Sequence, residues 1–437
     1  MKVAVIGTGY VGATTAIAFA SWGHRVTGLD LDARKIALLR QGRLPIYEEG
    51  LEELLQESLA AGTLSFSTEA KEAVETSDVI LLAVGTPSAE DGSADLSYIE
   101  GASRQIGQHL NGYKVIVNKS TVPVGTGDRV REIIAAQLQA RGRTDLDFDV
   151  ASNPEFLREG RALHDALHPE RVVLGCARPR AREQLLELYA PIADHTHILC
   201  TAIRDAEMIK YASNAFLATK ISFVNELARL CEQTGADILH VAKGMGLDSR
   251  IGEQFLQPGV GYGGSCFPKD VAALLHLAQR HETPLQILEA VEWVNHTQHE
   301  RFLEKVRCSL GDLSGKKLAL LGLTFKPNTD DIREAPALKI IESLTRSYQD
   351  VKIAAYDPQG QAHVKRLYPY LTYSPTPEVA LQGAHAALLI TEWPQIVQLD
   401  WSEAVTTMAT PYLFDGRNAL DATRMKQLGY RYFGIGR

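Results

Sequence analysis

Short apolar runs alternate with amphipathic stretches along the first part of the chain. Lys2–Ile6, Arg25–Leu29, Leu64–Ser67, Val79–Ala83, Val115–Asn118 and Asp149–Ser152 read as strands, with helical stretches such as Leu51–Leu59 and Arg129–Leu138 between them. Strands alternating with helices predict a parallel, doubly wound α/β sheet, whose ligands bind at the C-terminal strand ends. The pattern changes at Asp205, where the thirty residues to Thr234 hold a helical period without Pro or Gly. A helix of that length spans about 45 Å. It cannot pack fully against one small domain, so it is also expected to support a dimer interface. A second apolar helix is expected over Leu285–Leu310. From Lys316 a further α/β unit begins, with strands at Lys317–Leu321, Lys352–Tyr356, Ala386–Leu389 and Tyr412–Asp415. The expected division is 1–200, 201–312 and 313–437: two α/β domains, an internal duplication, joined by a long-helix central domain.

Composition narrows the possibilities. At 437 residues the chain exceeds one typical domain. A net charge of −8, with no basic run, argues against a nucleic-acid partner. The five cysteines (Cys176, Cys200, Cys231, Cys266, Cys308) are odd in number and lack metal-ligand spacing. That usage suits a reducing cytoplasm without a disulfide framework. The chain enters a strand at once, so no signal peptide is expected, and no apolar stretch reaches the roughly 18 residues of a membrane span. No metal is expected: His296 and His299 lack a third ligand at metal spacing. Asp165, His164 and His168 read as solvated loop residues without a role.

Two motifs carry chemistry. Gly7-Thr8-Gly9-Tyr10-Val11-Gly12 follows the first strand and opens an apolar-rich helical stretch. Gly7 permits a tight turn, Gly9 lets the backbone approach a pyrophosphate, and Gly12 lets helix and strand pack closely. Both α/β domains are therefore expected to be Rossmann-like, although the second lacks the full fingerprint. Asp30 ends the second strand, where an acid binds the ribose hydroxyls, so NAD is favoured over NADP because a 2′-phosphate would be repelled. Thr86, in Gly85-Thr86-Pro87, and the stretch Lys119–Pro123 follow later strands and are placed to touch a dinucleotide. The second motif is Gly261-Tyr262-Gly263-Gly264-Ser265-Cys266-Phe267-Pro268-Lys269-Asp270. Small residues let a substrate approach the Cys266 thiol. Pro268 starts a helix, and the helix N-terminus and Lys269 would both favour the thiolate. Asp270 is close enough in sequence to move a proton.

Lys210 and Asn214 share one helix face, four residues apart. Lys would hold an alkoxide or a water, and Asn would donate to a developing oxyanion. Asn153–Gly160 forms a loop at the ligand-binding edge, where Glu155 or Glu159 would act as general base for water. Lys326, with Lys316, Lys317 and Arg333 around it, suits a second nucleotide diphosphate. A nicotinamide site together with a nucleophilic Cys points to oxidation of an aldehyde to an acid, since a thiohemiacetal gives hydride and leaves a hydrolysable thioester.

Over nearly its full length the chain resembles the UDP-glucose/GDP-mannose dehydrogenase family, at Gly7–Gly12, Lys119–Thr126, Asn153–Gly160, Lys210–Glu226, Arg250–Asp270 and Gly322–Pro336. Within it, Lys220–Phe223 and Gly261–Asp270 resemble the branch acting on UDP-glucose. Related chemistry on GDP-mannose or a UDP-N-acetylhexosamine is the alternative. The resemblance implies Cys266 as nucleophile, with Lys210, Asn214 and Asp270 holding the catalytic water and oxyanions. Thr121 and Glu159 would serve that water. Glu155, Phe156, Leu157, Arg158 and Glu159, together with Phe255, Leu256, Gln257, Pro258 and Gly259, would cradle UDP-glucose. Gly263 and Lys326 would touch the sugar nucleotide, and Arg250 would reach in from the other subunit of a homodimer. NAD would be bound by the Gly7–Gly12 turn with Tyr10 and Val11, and by Asp30, Lys35, Thr86, Thr121, Glu159, Lys269 and Arg333.

Overall fold

The computed structural model describes every residue from Met1 to Arg437. Residue contacts divide the chain into two units, Met1–Ser213 and Asn214–Arg437.

The first unit is built on eight strands: β1 (Lys2–Ile6), β2 (Arg25–Leu29), β3 (Leu64–Ser67), β4 (Val79–Leu82), β5 (Val115–Asn118), β6 (Asp149–Ser152), β7 (Arg171–Cys176) and β8 (His197–Thr201). Their order is β3-β2-β1-β4-β5-β6-β7-β8, in which the first six follow the Rossmann arrangement. The continuous apolar runs have a direct cause: both faces of the sheet are covered. Val3 and Val5 enter one core cluster and Ala4 and Ile6 the other. One feature departs from the all-parallel expectation. β7 and β8 were not predicted, and β7 pairs antiparallel with β6. The sheet thus gains an edge of opposite direction beyond the nucleotide-binding half.

The second unit repeats the plan with β9 (Lys317–Leu321), β10 (Lys352–Tyr356), β11 (Thr372–Tyr373), β12 (Ala386–Leu389), β13 (Tyr412–Asp415) and β14 (Arg431–Phe433). Its order, β11-β10-β9-β12-β13-β14, is the same six-strand sequence, parallel throughout. Again Leu318 and Leu320 pack on one face, Ala319 and Leu321 on the other. The long helix runs Ile203–Thr234, and a second one runs Gln286–Leu310. No helix is long and apolar enough to cross a membrane. All five cysteines are unpaired.

Candidate functional site

In the first unit the glycine turn meets the steric demands of its motif. Gly7 has φ +95°, and a Cβ there would lie 2.5 Å from the Ala83 carbonyl oxygen. A Cβ on Gly12 would lie 1.8 Å from the Gly7 oxygen, while Gly9 has no neighbour within 4 Å of that point. The helix Tyr10–Ser21 starts at Gly9 with no side-chain cap and no acid in its first turn. Its leading N–H groups are thus suited to an anion. At the end of β2, Asp30 Oδ2 accepts from Thr8 N (2.9 Å), Thr8 Oγ1 (2.8 Å) and Lys35 Nζ (2.8 Å). Oδ1 accepts from Asp32 N at 3.0 Å and keeps acceptor capacity for a ribose hydroxyl. Burial works against the charge of Asp30. The Lys35 ammonium and the backbone N–H groups outweigh it and hold the carboxyl at about 2. These residues fit a dinucleotide: a glycine cradle for its diphosphate and a charged acceptor for its ribose.

The loops after β4 and β5 are joined, because Thr86 Oγ1 donates to the Thr121 carbonyl at 2.9 Å. The loop after β6 is more heavily anchored than the sequence suggested. Glu155, 5 % exposed, pairs with Lys210 Nζ at 3.2 Å and accepts from Leu157 N at 2.6 Å. Lys210 is itself 4 % exposed and lies 5.3 Å from the Phe156 ring centre. Arg158 is held by Asp165, which accepts from Arg158 N (3.1 Å), Nε (2.8 Å) and Nη2 (2.6 Å). Asp165 is therefore no solvated loop residue. It is buried on the short helix Ala162–Leu167 and pins the loop, a role that its sequence neighbours do not signal. Glu159 is half-buried, next to Gly160, whose N–H donates to both Tyr10 Oη and Glu48 Oε2 at 2.8 Å. Tyr10 Oη in turn donates to Glu48. Burial and the Glu48 carboxylate push the Tyr10 hydroxyl far up, so it stays protonated. Glu48, unremarked in the sequence, thus ties the glycine turn to the loop that carries Glu155 and Glu159. Beneath the loop, Asn153 Oδ1 accepts from Tyr189 Oη (2.5 Å) and Lys119 Nζ (3.1 Å). Burial lowers Lys119 to about 8.

In the second unit Cys266 stands at the N-cap of the helix Phe267–Arg280, with Pro268 in the first turn. Its Sγ is 3.5 Å from Ser265 Oγ, and its carbonyl accepts from Asp270 N at 2.8 Å. Asp270 is 1 % exposed and accepts from Asn214 Nδ2 and Lys269 Nζ, both at 2.6 Å. Lys269, expected to act on the thiol and on NAD, therefore has a carboxylate partner. The loop before Cys266 is clasped by three side-chain amides that sequence reading missed. Asn225 Oδ1 accepts from Gly259 N at 2.7 Å, and Gln298 Nε2 donates to Gly259 O at 2.8 Å. Asn295 accepts from Tyr262 N (2.8 Å) and donates to Tyr262 O (3.1 Å), as a neighbouring strand would. Phe255 sits at φ +64°, an unusual conformation for a bulky residue. Leu256 is buried, with Gln257 exposed and Pro258 and Gly259 buried beyond it. A Cβ on Gly263 would come 2.3 Å from the Glu334 carbonyl oxygen, and Gly264 N donates to Arg333 O at 2.8 Å. This brings the Cys266 approach against the segment after β9, which carries Lys326. The Lys326 ammonium lies 5.4 Å from the Phe325 ring centre, and the Arg333 guanidinium pairs with Asp331 at 2.7 Å. Arg250 is 87 % exposed and pairs with Asp248.

The second unit also holds a counterpart of Asp30. Asp357 follows β10, but it accepts from Leu323 N, Thr324 N, Thr324 Oγ1 and Trp393 Nε1 on one oxygen and from Gln359 N and Gly360 N on the other. With six donors around a residue 3 % exposed, it has no capacity for a ribose. The duplicated fold is thus bound to a different use at the equivalent point.

Three models of one family match the chain in sequence order. They are the NAD binding domain of the UDP-glucose/GDP-mannose dehydrogenase family over residues 1–193, its central domain over 204–297 and its UDP binding domain over 319–422. The UDP-glucose 6-dehydrogenase of Pseudomonas aeruginosa is 48 % identical, covering 100 % of this chain and 98 % of that protein. The UDP-glucose 6-dehydrogenase TuaD of Bacillus subtilis is 45 % identical, covering 100 % and 93 %. Among solved structures, a UDP-glucose dehydrogenase from the archaeon Pyrobaculum islandicum superposes with a TM-score of 0.92 at 38 % identity, covering 100 % of this chain and 97 % of that one. The chain belongs to the UDP-glucose/GDP-mannose dehydrogenase family, NAD binding domain included.

Proposed function

We propose that this chain is an NAD-dependent dehydrogenase that oxidises carbon 6 of UDP-glucose twice, giving UDP-glucuronate. The observation that carries this reading is Cys266 at the head of its helix, beside an Asp270 fixed by Asn214 and Lys269. Full-length identity of 45 % and 48 % to proteins named as UDP-glucose 6-dehydrogenases supports the substrate.

NAD, when bound, supplies the hydride acceptor for each oxidation. Gly7–Gly12 and Asp30 would hold it, with Lys35, Thr86, Thr121, Glu159, Lys269 and Arg333 as further contacts. Lys210 and Asn214 stabilise negative charge on the substrate oxygen as its proton passes to a base, Glu159 or Asp270 directly or through the held water, and hydride leaves carbon 6. The Cys266 thiolate adds to the resulting aldehyde, forming a C–S bond and a tetrahedral thiohemiacetal. Loss of the second hydride leaves a thioester. Water, deprotonated by Glu159 or Asp270 and placed with help from Thr121, cleaves the C–S bond to release the acid and restore the thiol. The loops Glu155–Glu159 and Phe255–Gly259, with Gly263 and Lys326, hold the sugar nucleotide. The fixed geometry of both loops supports that role.

A homodimer is part of the same reading. Phe216, Phe223 and Leu230 are 65 %, 48 % and 59 % exposed on the long helix. Their seven-residue spacing places them on one side of it. A second copy would cover this stripe and bring its Arg250 to the substrate. Unpaired cysteines suit a reducing, cytoplasmic setting. We retain three domains, 1–200, 201–312 and 313–437, as the working division.

The test is NADH absorbance with NAD and UDP-glucose, GDP-mannose or a UDP-N-acetylhexosamine, at matched concentrations. The expected result is turnover with UDP-glucose at two NADH per acid formed. Preference for another nucleotide sugar, or one NADH per product, overturns the proposal. NADP is expected to be a poor replacement, because Asp30 would face its phosphate.

A further inference from the structure

Glu207 lies on the long helix one turn before Lys210 and is 2 % exposed. Its oxygens accept from Gly125 N at 2.7 Å and Gly127 N at 2.8 Å. Gly125, at φ +98°, is the N-cap of the helix Thr126–Ala140, which has no side-chain cap of its own. The two N–H groups would otherwise be unpartnered at a helix start. The space is closely fitted, since a Cβ on Gly127 would come 2.6 Å from Ile203 Cγ2 and 3.3 Å from Glu207 Oε1. The stretch carrying Thr121 runs directly into this helix start, where Thr126 N and Oγ1 both donate to the Pro123 carbonyl, at 3.1 and 2.6 Å. Thr121 O, in turn, accepts from Thr86. One carboxylate therefore joins the loops after β4 and β5 to the helical turn that carries Lys210.

We propose that Glu207 is a positioning residue, fixing the Thr121 loop to the Lys210 turn so that cofactor-side and substrate-side groups keep their relative placement through turnover. The inference rests on the functional reading above, which assigns Thr121 and Lys210 their roles.

A purely structural cap would favour a group at ease when buried, and Glu207 is not one. Burial pushes it up from 4.5 to about 7, against the two backbone N–H groups that hold it down. The charged groups facing it are Asp128, which raises it further, and Arg204, which lowers it; these two pair with each other at 2.8 Å. Because the folded value is raised, the stability contributed by this group is present below about 4.5 and is lost as pH rises through about 7. The clasp behaves in the opposite sense. Above about 7 both oxygens accept as a carboxylate; below it one carries a proton and accepts more weakly from its N–H. The ionised form thus serves geometry at a cost in stability.

Two measurements test this. The first is the pH dependence of kcat for wild type and Glu207→Gln, whose amide can satisfy only one of the two N–H groups. Wild-type kcat is expected to rise through pH about 7. Glu207→Gln should lose tenfold or more at pH 8 and lack that limb, while Glu207→Asp, which keeps the charge, should recover part of both. The second is hydrogen-exchange protection of the Gly125 and Gly127 amides, which needs no substrate. It should be high at pH 8 and fall by pH 6 in wild type, and be low at both in Glu207→Gln. A Glu207→Gln enzyme with kcat within twofold of wild type and the same limb overturns the proposal, as does pH-independent protection of both amides. Failure of wild type to oxidise any nucleotide sugar would instead count against the functional reading, leaving the exchange data to judge the clasp.

Discussion

Asp270 and Glu155 are two buried carboxylates, each held by one ammonium and one N–H donor. Asp270 is shared by Asn214 and Lys269, and Glu155 pairs with Lys210 while accepting from Leu157 N. Lys210→Ala leaves the buried Glu155 carboxylate without its ion-pair partner, at a cost of about 3–5 kcal/mol. It should also lower kcat by about a hundredfold or more, if the ammonium stabilises developing oxyanion charge. Thermal unfolding and steady-state kinetics separate the two effects, and a rise in KM with kcat intact would make Lys210 a binding residue only. Cys266→Ala is expected to be gentler on the fold, since the thiol is small and half-buried. It should bind NAD and UDP-glucose but, given the 6-aldehyde, form NADH slower by several orders of magnitude. Cys266→Ser should accumulate an ester adduct visible by mass spectrometry. Near-normal acid production by Cys266→Ala would end the covalent mechanism.

At the scale of elements, the long helix serves three surroundings at once, and its sequence carries three superposed patterns. Glu207 and Lys210 serve the first unit, Asn214 and Asn225 serve the second, and Phe216, Phe223 and Leu230 remain outside. Replacing Phe223 by Asp should leave far-ultraviolet dichroism unchanged, because its side chain is exposed. On the proposed dimer, it should shift the sedimentation equilibrium towards monomer and cut turnover with it, since Arg250 would then no longer arrive from a partner. Unchanged mass with full activity would contradict the dimer reading. The glycine turn makes the opposite case. Gly12→Ala would place a methyl 1.8 Å from the Gly7 carbonyl oxygen, so strand and helix must separate. NAD affinity should fall by tenfold or more, measurable by fluorescence titration.

Considered as a whole molecule, the chain repeats one six-strand order in both units and differs where ligands would bind. NAD at a hundred times its dissociation constant should add about 2.7 kcal/mol of stability and raise the unfolding midpoint by several degrees. In Gly12→Ala about half of that increment or more should vanish at the same NAD concentration. The sequence by itself determined most strands of both doubly wound sheets, because a strand buried on both faces tends to be apolar throughout. It also marked Gly7–Gly12 and Gly261–Asp270, whose conformations only particular residues permit. β7 and β8 at one end of the first sheet and the edge strands β11 and β14 of the second were not legible: they are short or lie outside the repeating alternation. Partnership was decided only by tertiary structure. Nothing local tells that Glu48 holds Gly160, that Asp165 holds Arg158, or that Glu207 holds Gly125 and Gly127. Nor does it tell that Asp357 is saturated where Asp30 keeps an acceptor. Polar residues look alike along a chain, since exposed and buried carboxylates share one composition. Only the distant donors that folding brings to each one fix whether it is solvated, structural or available for chemistry.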